Sequence, residues 1–443
     1  MFTKKIGPSP RVASTNVVLV ANAFIWYFLA YRILQQLIDK IQVTDAETLV
    51  VLGINVACIA VTAIIGSLLA DKLSSRENLL SWWMLSGVFV SLMLFFYVPS
   101  TVASLIIISA IFGGYFGLGM PSVMGHFAQS TIYANRARLG GIIFLVISLG
   151  FFLIGSLVVS DITLAIVALT IVQILSLSVF VKFKTKIAIS HEAQKTTYAR
   201  VLSSRPLLLF LIPWFVFNIV NYMTIPVVGR LSQEYEIMTS LNLLENIIIA
   251  IVALVTGFLA DSIGRKRLAI FGFASFGVGY AVLGLIQDSA RWPIHIVADG
   301  LAWGTLYVLF LFTLWGDLAQ GQRGEKFYVM GALPFLFSNF MTPFLAALTA
   351  NIHPETLFSF ASFFLFLAVL PLVYAPETLP EKVMKARDLQ SYVEKAKQKA
   401  EKESEKIQKR HSDQAEEETD KEKEKPEESS EDEEARKLAE KYY

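Results

Sequence analysis

Long apolar runs alternate with short polar segments along most of the chain. Each run is about 20 residues long and nearly free of charge, as an α-helix that crosses a bilayer requires. The pattern predicts twelve membrane-spanning helices, at residues 15–38, 47–70, 79–98, 102–124, 139–159, 161–181, 206–229, 240–260, 268–287, 292–317, 329–350 and 355–375. We therefore expect an all-α membrane protein.

Polar segments divide the chain into five predicted parts. An N-terminal segment, 1–14, precedes a six-helix half at 15–181, and a linker at 182–205 leads into a second six-helix half at 206–380. The tail, 381–443, is rich in Glu and Lys, and its weak heptad spacing predicts a frayed helix followed by disorder.

Lysine and arginine are concentrated in alternate connections. They precede the first predicted span and follow the second, fourth, sixth, eighth and tenth, whereas the intervening connections are poor in both. Because basic loops remain in the cytoplasm, this distribution predicts cytoplasmic termini and a cytoplasmic linker. The expected location is therefore a cell membrane, which the chain crosses many times.

Composition argues against several classes of function. The 443 residues are 54% hydrophobic and carry a net charge of +1, which gives no reason to expect a nucleic-acid partner. Cys58 is the single cysteine, and no Cys/His cluster predicts a metal site. With no nucleotide-binding loop or catalytic triad visible, we expect neither an enzyme nor a cofactor. The expected partners are a small-molecule substrate and the lipid bilayer, and none is assigned to the tail.

A short charged segment, GFLADSIGRKR from Gly257 to Arg267, separates the eighth and ninth predicted spans. Charged side chains are costly in hydrocarbon, so this segment should form a tight loop at the membrane surface. A related segment, SLLADKLSSR at 67–76, places its aspartate 190 residues earlier, and Arg136 and Arg323 form a second pair 187 residues apart. These repeats predict two related halves with a site between them near the membrane midplane.

The pattern G-x-L-A-D-x-x-G-R-K-R resembles the signature loop of the major facilitator superfamily, and APETLPEK at 375–382 has a weaker likeness to its sugar and organic-ion porters. The resemblance covers about residues 10–385 and implies the twelve-helix fold of that family with transport by alternating access. It also implies a conformational latch that closes the cytoplasmic side, formed by Asp71, Arg76, Arg136, Gly257, Asp261, Gly264, Arg265, Lys266, Arg323 and Glu377. Gln129 stands where the family pattern has a first-half acid, so the first-half network should be weaker.

Polar and aromatic side chains within the predicted spans are the candidates for a substrate site, because buried amides and charges need partners. The candidates are Asn22, Trp26, Arg32, Asn218, Asn221, Tyr222, Asp299, Trp303 and Asn339. Arg32 would favour a substrate with a carboxylate or phosphate. Helix-to-helix hydrogen bonds and headgroup contacts are the alternative roles for these residues.

Taken together, these features predict a secondary active transporter of a small polar solute such as a sugar or an organic acid. Protons are a candidate coupling ion, with Glu245, Asp299 and Asp317 as the candidate carriers. Two alternatives remain open at this stage. One is a multidrug efflux antiporter, and the other is a non-transporting membrane sensor or anchor that acts through the C-terminal tail.

Overall fold

The structure, a computed structural model, describes residues 10–72, 76–97, 99–158, 161–183, 196–232, 238–319, 321–381 and 430–442, with scattered residues between 385 and 404. Residues 1–9 and residues 184–195 of the predicted linker lie outside this set. The contacts within the chain form two units, Met1–Pro380 and Glu381–Tyr443, and each is described by itself below.

The N-terminal half of the first unit consists of six long helices. They are α1 (Pro10–Ile41), α2 (Asp45–Lys72), α3 (Arg76–Phe96), α4 (Val102–Ser130), α5 (Arg136–Val158) and α6 (Ile162–Phe183). A short helix, α7 (Tyr198–Leu202), follows in the linker and was not predicted.

The C-terminal half repeats this arrangement. Its helices are α8 (Arg205–Ser232), α9 (Met238–Ile263), α10 (Arg265–Leu285), α11 (Arg291–Leu318), α12 (Glu325–Thr349) and α13 (Pro354–Tyr374). Val308–Thr313 form a π-helical segment within α11. Among the described residues, twelve helices are long and apolar enough to span a membrane, which confirms the predicted fold class.

Glycine residues determine how closely the helices pack within each half. In the N-terminal half, Gly113 and Gly117 of α4 lie against the backbone of α2, where a methyl group would have no room. In the C-terminal half, Gly304 of α11 faces α9, and a Cβ there would lie 2.7 Å from the Ile249 carbonyl oxygen. Such small residues let helices approach closely in a membrane, where lipid offers no competing hydrophobic drive.

A similar glycine contact joins the two halves where α5 packs against α9. A Cβ on Gly257 would lie 2.7 Å from the Ala137 carbonyl oxygen, and one on Gly141 would lie 2.6 Å from the Ala253 carbonyl oxygen. The signature glycine at 257 is therefore needed for contact between the halves.

Replacing Gly257 with Ala should lower the melting temperature by several degrees and slow transport, because overpacking a tight contact typically costs about 1–3 kcal/mol. Gly229→Ala is the matched control, since no atom lies within 4 Å of its Cβ position. Thermal unfolding of the two purified variants compares the sites directly. Equal melting temperatures for both variants would show that the α5–α9 contact tolerates a methyl group.

The tail unit contains a helix that the sequence did not predict. Helix α14 (Ser430–Tyr442) begins with a run of Glu and Asp and has Lys441 in its last turn, an order of charges that favours the helix dipole. Glu433 and Lys437 lie one turn apart, with 3.7 Å between oxygen and nitrogen. This helix lies within a tail for which the sequence predicts partly helical or disordered structure.

Candidate functional site

Basic residues in the connections α2–α3, α4–α5, α9–α10 and α11–α12 lie at one end of the bundle, which we call the basic end. Four ion pairs join the two halves there: Arg76–Glu325, Arg136–Asp317, Asp71–Arg323 and Asp71–Lys326. The side chains of the Arg76–Glu325 and Arg136–Asp317 pairs are nearly inaccessible to solvent, whereas Asp71 and Arg323 are slightly exposed. We call this set, with Asp261 and Arg265, the charged latch.

Asp317 is the centre of the charged latch. Its carboxylate accepts hydrogen bonds from Arg136 of the N-terminal half at 2.5 Å and from Arg265 of its own half at 3.1 Å. The Thr378 hydroxyl donates a further bond at 3.1 Å. The carboxylate of Asp317 therefore links two buried guanidinium groups. Arg265 also pairs with Asp261, at 2.9 Å. Asp317, predicted as a candidate proton carrier, thus lies in an ion-pair network that joins the two halves.

Asp261 contributes a second contact between the halves. Its Oδ2 accepts a hydrogen bond from the backbone N–H of Arg138 at 3.0 Å, at the start of α5. An acid in this position also suits the positive end of the α5 dipole. The signature aspartate thus binds a cation of its own half and the helix N-terminus of the other half.

Gly264 and Glu377 explain why the signature loop needs its second glycine. Gly264 has φ +102°, a left-handed conformation that glycine adopts without strain. A Cβ at this position would also lie 2.9 Å from the Glu377 carboxyl carbon. The carboxylate instead accepts hydrogen bonds from the backbone N–H groups of Arg265 at 2.9 Å and Lys266 at 3.1 Å, and so caps α10.

The linker also contributes to the basic end. Lys326 donates a hydrogen bond to the carbonyl oxygen of Thr196 at 2.6 Å, and its ammonium group lies over the ring of Tyr198. The Tyr198 hydroxyl forms a 2.6 Å hydrogen bond with Ser67 of α2. Burial raises the pKa of Tyr198, so this phenol remains neutral at physiological pH.

An aromatic layer lies next to the charged latch. Phe312, in the π-helical segment of α11, is buried among three phenylalanines of the N-terminal half. The ring centroids lie 5.6 Å from Phe24, 6.3 Å from Phe127 and 6.4 Å from Phe144. Ion pairs and this aromatic layer together close the basic end in the described conformation.

A group of tyrosines lies between the halves on the other side of the aromatic layer. The Tyr222 hydroxyl lies close enough to Tyr27, Tyr31 and Tyr307 for electrostatic interaction, and all four side chains are partly exposed. Tyr31 hydrogen-bonds to Asn339 of α12 across the interface. We call Tyr27, Tyr31, Tyr222, Tyr307 and Asn339 the central polar site.

Two predicted substrate residues lie on the face of α1 that packs inside the N-terminal half. Trp26 points into the N-terminal half, where its indole N–H donates to Ser91 at 3.1 Å and its ring contacts Phe112 and Tyr115. Asn22 lies one turn away, is buried, and finds no hydrogen-bond partner among the described residues. Tyr27 and Tyr31 lie about 100° and about 140° around the helix from Trp26, on the face toward the other half.

Arg32 lies outside the central polar site. Its side chain is exposed, and it forms no ion pair with any residue that the structure describes. Arg32 stays a candidate contact for a substrate carboxylate or phosphate.

Some of the other predicted substrate residues pack inside one half, and others lie at the interface between the two halves. Asn218 is buried and donates to the carbonyl oxygen of Trp214 in its own helix at 2.6 Å. Trp303 is buried against Phe217 and Tyr307, with centroids 4.7 and 4.5 Å away. Asn221 is buried one residue before Tyr222. Only Tyr222 and Asn339 of the predicted substrate set lie within the central polar site.

Two carboxyl groups meet in the C-terminal half. Glu245 of α9 and Asp299 of α11 hydrogen-bond to each other through their side chains, and Asp299 is buried. Gly300 permits this approach, since a Cβ there would lie 2.6 Å from Ile248 of α9. Tyr307 of the central polar site interacts electrostatically with both carboxyl groups. We call Glu245 and Asp299 the carboxyl pair.

The surroundings of the carboxyl pair are aromatic and polar. The Tyr280 ring of α10 lies 5.4 Å from that of His295, one turn before Asp299, and its hydroxyl forms a 2.5 Å hydrogen bond with Thr224 of α8. Among the described residues, no group of three or more His, Cys, Asp or Glu side chains could hold a metal ion.

Several residues of these sites were missed in the sequence. Glu325 and Lys326 follow Arg323 after one glycine, so their charges at a predicted helix start were the available signal. Tyr27, Tyr31 and Tyr307 gave only a weak signal, because tyrosine within a span is also common at membrane interfaces. Their convergence depends on how the two halves pack.

Comparison with known proteins identifies a matching sequence family and solved structures with a similar fold. The sequence profile of the Major Facilitator Superfamily matches residues 15–321. The human organic anion transporter MFSD10 (TETRAN) has a similar fold, with a TM-score of 0.62 and 13% identity over 82% of this chain and 99% of that protein.

The proton:xylose symporter XylE, in a structure bound to 6-bromo-6-deoxy-D-glucose, gives a TM-score of 0.60 and 16% identity over 84% of this chain and 97% of that one. No curated protein sequence matches the chain. The profile match covers more than half of the sequence, and the chain therefore belongs to the Major Facilitator Superfamily of membrane transporters.

Proposed function

We propose that the protein is a secondary active transporter that moves a small polar solute across the cell membrane by alternating access. The basic end faces the cytoplasm in this proposal, in keeping with the positive-inside rule, and both termini are cytoplasmic. The described conformation is then closed toward the cytoplasm.

The observation that carries this proposal is the set of ion pairs between the halves. Arg136–Asp317 and Arg76–Glu325 join different halves at one end of the bundle only, beside the glycine contact of α5 and α9. Such pairs can form in only one of the two states of a rocking bundle. Ion pairs that form in one state stabilise that state, as expected of a protein whose halves separate at that end.

The central polar site supports a solute that offers hydroxyl or similar hydrogen-bonding groups. Tyrosine hydroxyls and the Asn339 amide donate and accept without a net charge, and aromatic faces suit the apolar side of a ring. A sugar, an organic acid or a similar metabolite fits this chemistry.

The carboxyl pair supports protons as the coupling ion. Two carboxyl groups can share a hydrogen bond only when one of them holds a proton. Tyr307 connects this pair with the central polar site, because it interacts electrostatically with both carboxyl groups and with Tyr222. Release of that proton would change the charge beside the bound solute, which is what symport requires.

The test is uptake into proteoliposomes from a mixed pool of sugars, organic acids and amino acids, with and without an inward proton gradient. Wild type should accumulate a solute, and Asp261→Asn should reduce the rate about fivefold or more, because it weakens a contact between the halves. Asp39→Asn, at an exposed carboxylate, is the matched control. Equilibration without accumulation would leave transport but remove proton coupling, whereas no movement of any solute would contradict the proposal.

A further inference from the structure

An apolar cavity lies between the two halves at the side of the helix bundle. Its volume is about 670 Å³, within the usual range of ligand sites, and it is bounded by α2 of the N-terminal half and by α8 and α12 of the C-terminal half. The side chains that line it are all apolar. Ile212 of α8 and Phe337 of α12 line the cavity and are also exposed on the surface of membrane-spanning helices. The cavity therefore opens sideways, toward the hydrocarbon of a bilayer.

Small residues of α2 make the room for this cavity. Gly53, Ala57 and Ala60 follow one another at about one helical turn, and all three line it. Such residues normally let membrane helices pack closely, and Gly53 does so, since a Cβ there would lie 2.8 Å from the ring of Phe340 in α12. Ala57 and Ala60 instead face open space, which leaves a gap between the helices.

A second apolar cavity, of about 490 Å³, continues the first. The two cavities share Gly53, Ala57 and Phe340. Along α12 they extend from Met330 to Phe344, 14 residues apart and therefore about 21 Å. One leaflet contributes half of the roughly 30 Å hydrocarbon core of a bilayer, so this length accommodates a whole acyl chain. We call the two cavities the lateral groove.

The chemistry and the size of the lateral groove leave few candidate occupants. An ordered water needs several polar partners and a polar solute needs hydrogen bonds, but the lining is apolar apart from the weakly polar thiol of Cys58. A helix of a partner or of a second copy is about 10 Å across, so about 21 Å of it would occupy roughly 1,600 Å³, more than both cavities hold. An acyl chain is apolar, thin and flexible, and the bilayer supplies it.

We propose that the lateral groove binds one acyl chain of a bilayer lipid. Lipid tails are as apolar as the groove, so the favourable free energy comes from filling a gap whose walls otherwise lack dispersion contacts. Because α2 belongs to one half and α8 and α12 belong to the other, the bound chain stabilises the described packing of the two halves. This binding does not depend on the proposed transport.

Photolabelling in detergent tests the site directly. Palmitoyl-oleoyl phosphatidylcholine with a diazirine in one acyl chain should attach mainly to the segments of α2 and α12 that line the groove, 49–60 and 330–344. Ala57→Phe fills the groove and should lower this attachment about fivefold or more. Ala347→Phe is the matched control, because Ala347 is exposed on α12 and lines neither cavity.

Thermal unfolding separates loss of the site from damage to the protein. In lipid-free detergent, Ala57→Phe should melt at or above the wild-type temperature, because the new ring fills a gap. Added palmitoyl-oleoyl phosphatidylcholine should raise the melting temperature of wild type and of Ala347→Phe equally, and that of Ala57→Phe about half as much or less. If Ala57→Phe does not fold, Ala60→Phe provides the same comparison at a second lining position.

Four outcomes would overturn the proposal. One is attachment spread evenly over the exposed faces of the spans, and another is equal attachment in wild type and in the filled variant. A third is equal competition by excess dihexanoylphosphatidylcholine and by the long-chain lipid, because the chains of the former are too short to follow the groove. The fourth is protection of the groove that increases with protein concentration, which would assign it to a second copy of the chain.

Discussion

Replacing Asp317 with Asn should abolish transport and lower the melting temperature by several degrees. The substitution removes the carboxylate shared by Arg136 and Arg265, both of which are buried. Breaking a buried ion pair by removing one partner costs about 3–5 kcal/mol, since the remaining charge is left uncompensated. Thermal unfolding in detergent and uptake into proteoliposomes measure the two effects on one preparation.

Thr378→Val is the matched control for Asp317→Asn. It removes a hydroxyl that donates to the same carboxylate but leaves every charge in place. A hydrogen bond to a charged group contributes about 1.5–3 kcal/mol, less than a broken buried ion pair costs, so most of the uptake should remain. If Asp317→Asn kept wild-type uptake and melting temperature, the charged latch would not be what closes the basic end.

Replacing Glu245 with Gln, or Asp299 with Asn, should abolish accumulation driven by a proton gradient while solute exchange continues. An amide can replace one carboxyl group in the shared hydrogen bond, but it cannot release a proton. The central polar site would remain intact, so binding and exchange need no proton movement. Gradient-driven uptake and counterflow of labelled solute, measured on the same vesicles, separate these steps.

Asp288→Asn provides the comparison, because its exposed carboxylate lies in the loop before α11. Both uptake and counterflow should match wild type in this variant. Accumulation that persists in Glu245→Gln and in Asp299→Asn would place proton coupling elsewhere. Loss of counterflow together with accumulation would show instead that the carboxyl pair is needed to bind the solute.

The sequence predicted the signature loop well because its geometry is local. Gly264, Asp261 and Arg265 lie within one turn and the next helix start, so their spacing alone determines the left-handed turn and the first ion pair. The residues that pair across the interface between the halves were harder to predict from the sequence. Asp317 was predicted as a candidate proton carrier and Glu325 was given no role, since pairing between halves depends on packing.

The face of α1 that meets the other half could not be predicted from the sequence. Helical periodicity gives the angle between two side chains, but it does not say which face meets the other half. Asn22, Trp26 and Arg32 were grouped because polar and charged residues within a span attract functional roles. The surface that meets the C-terminal half instead carries tyrosines, which combine apolar bodies with hydrogen-bonding tips.

The burial of the charged latch has a consequence for its response to ionic strength. Mobile ions screen charges that water can reach, over about 8 Å at physiological salt, and act much less on pairs shielded from solvent. Asp317, Arg265 and Arg136 lie in this shielded class, whereas the Asp71–Arg323 pair is slightly exposed. Dissolved salt should therefore weaken mainly the ion pairs at the periphery of the charged latch and affect those at its centre much less.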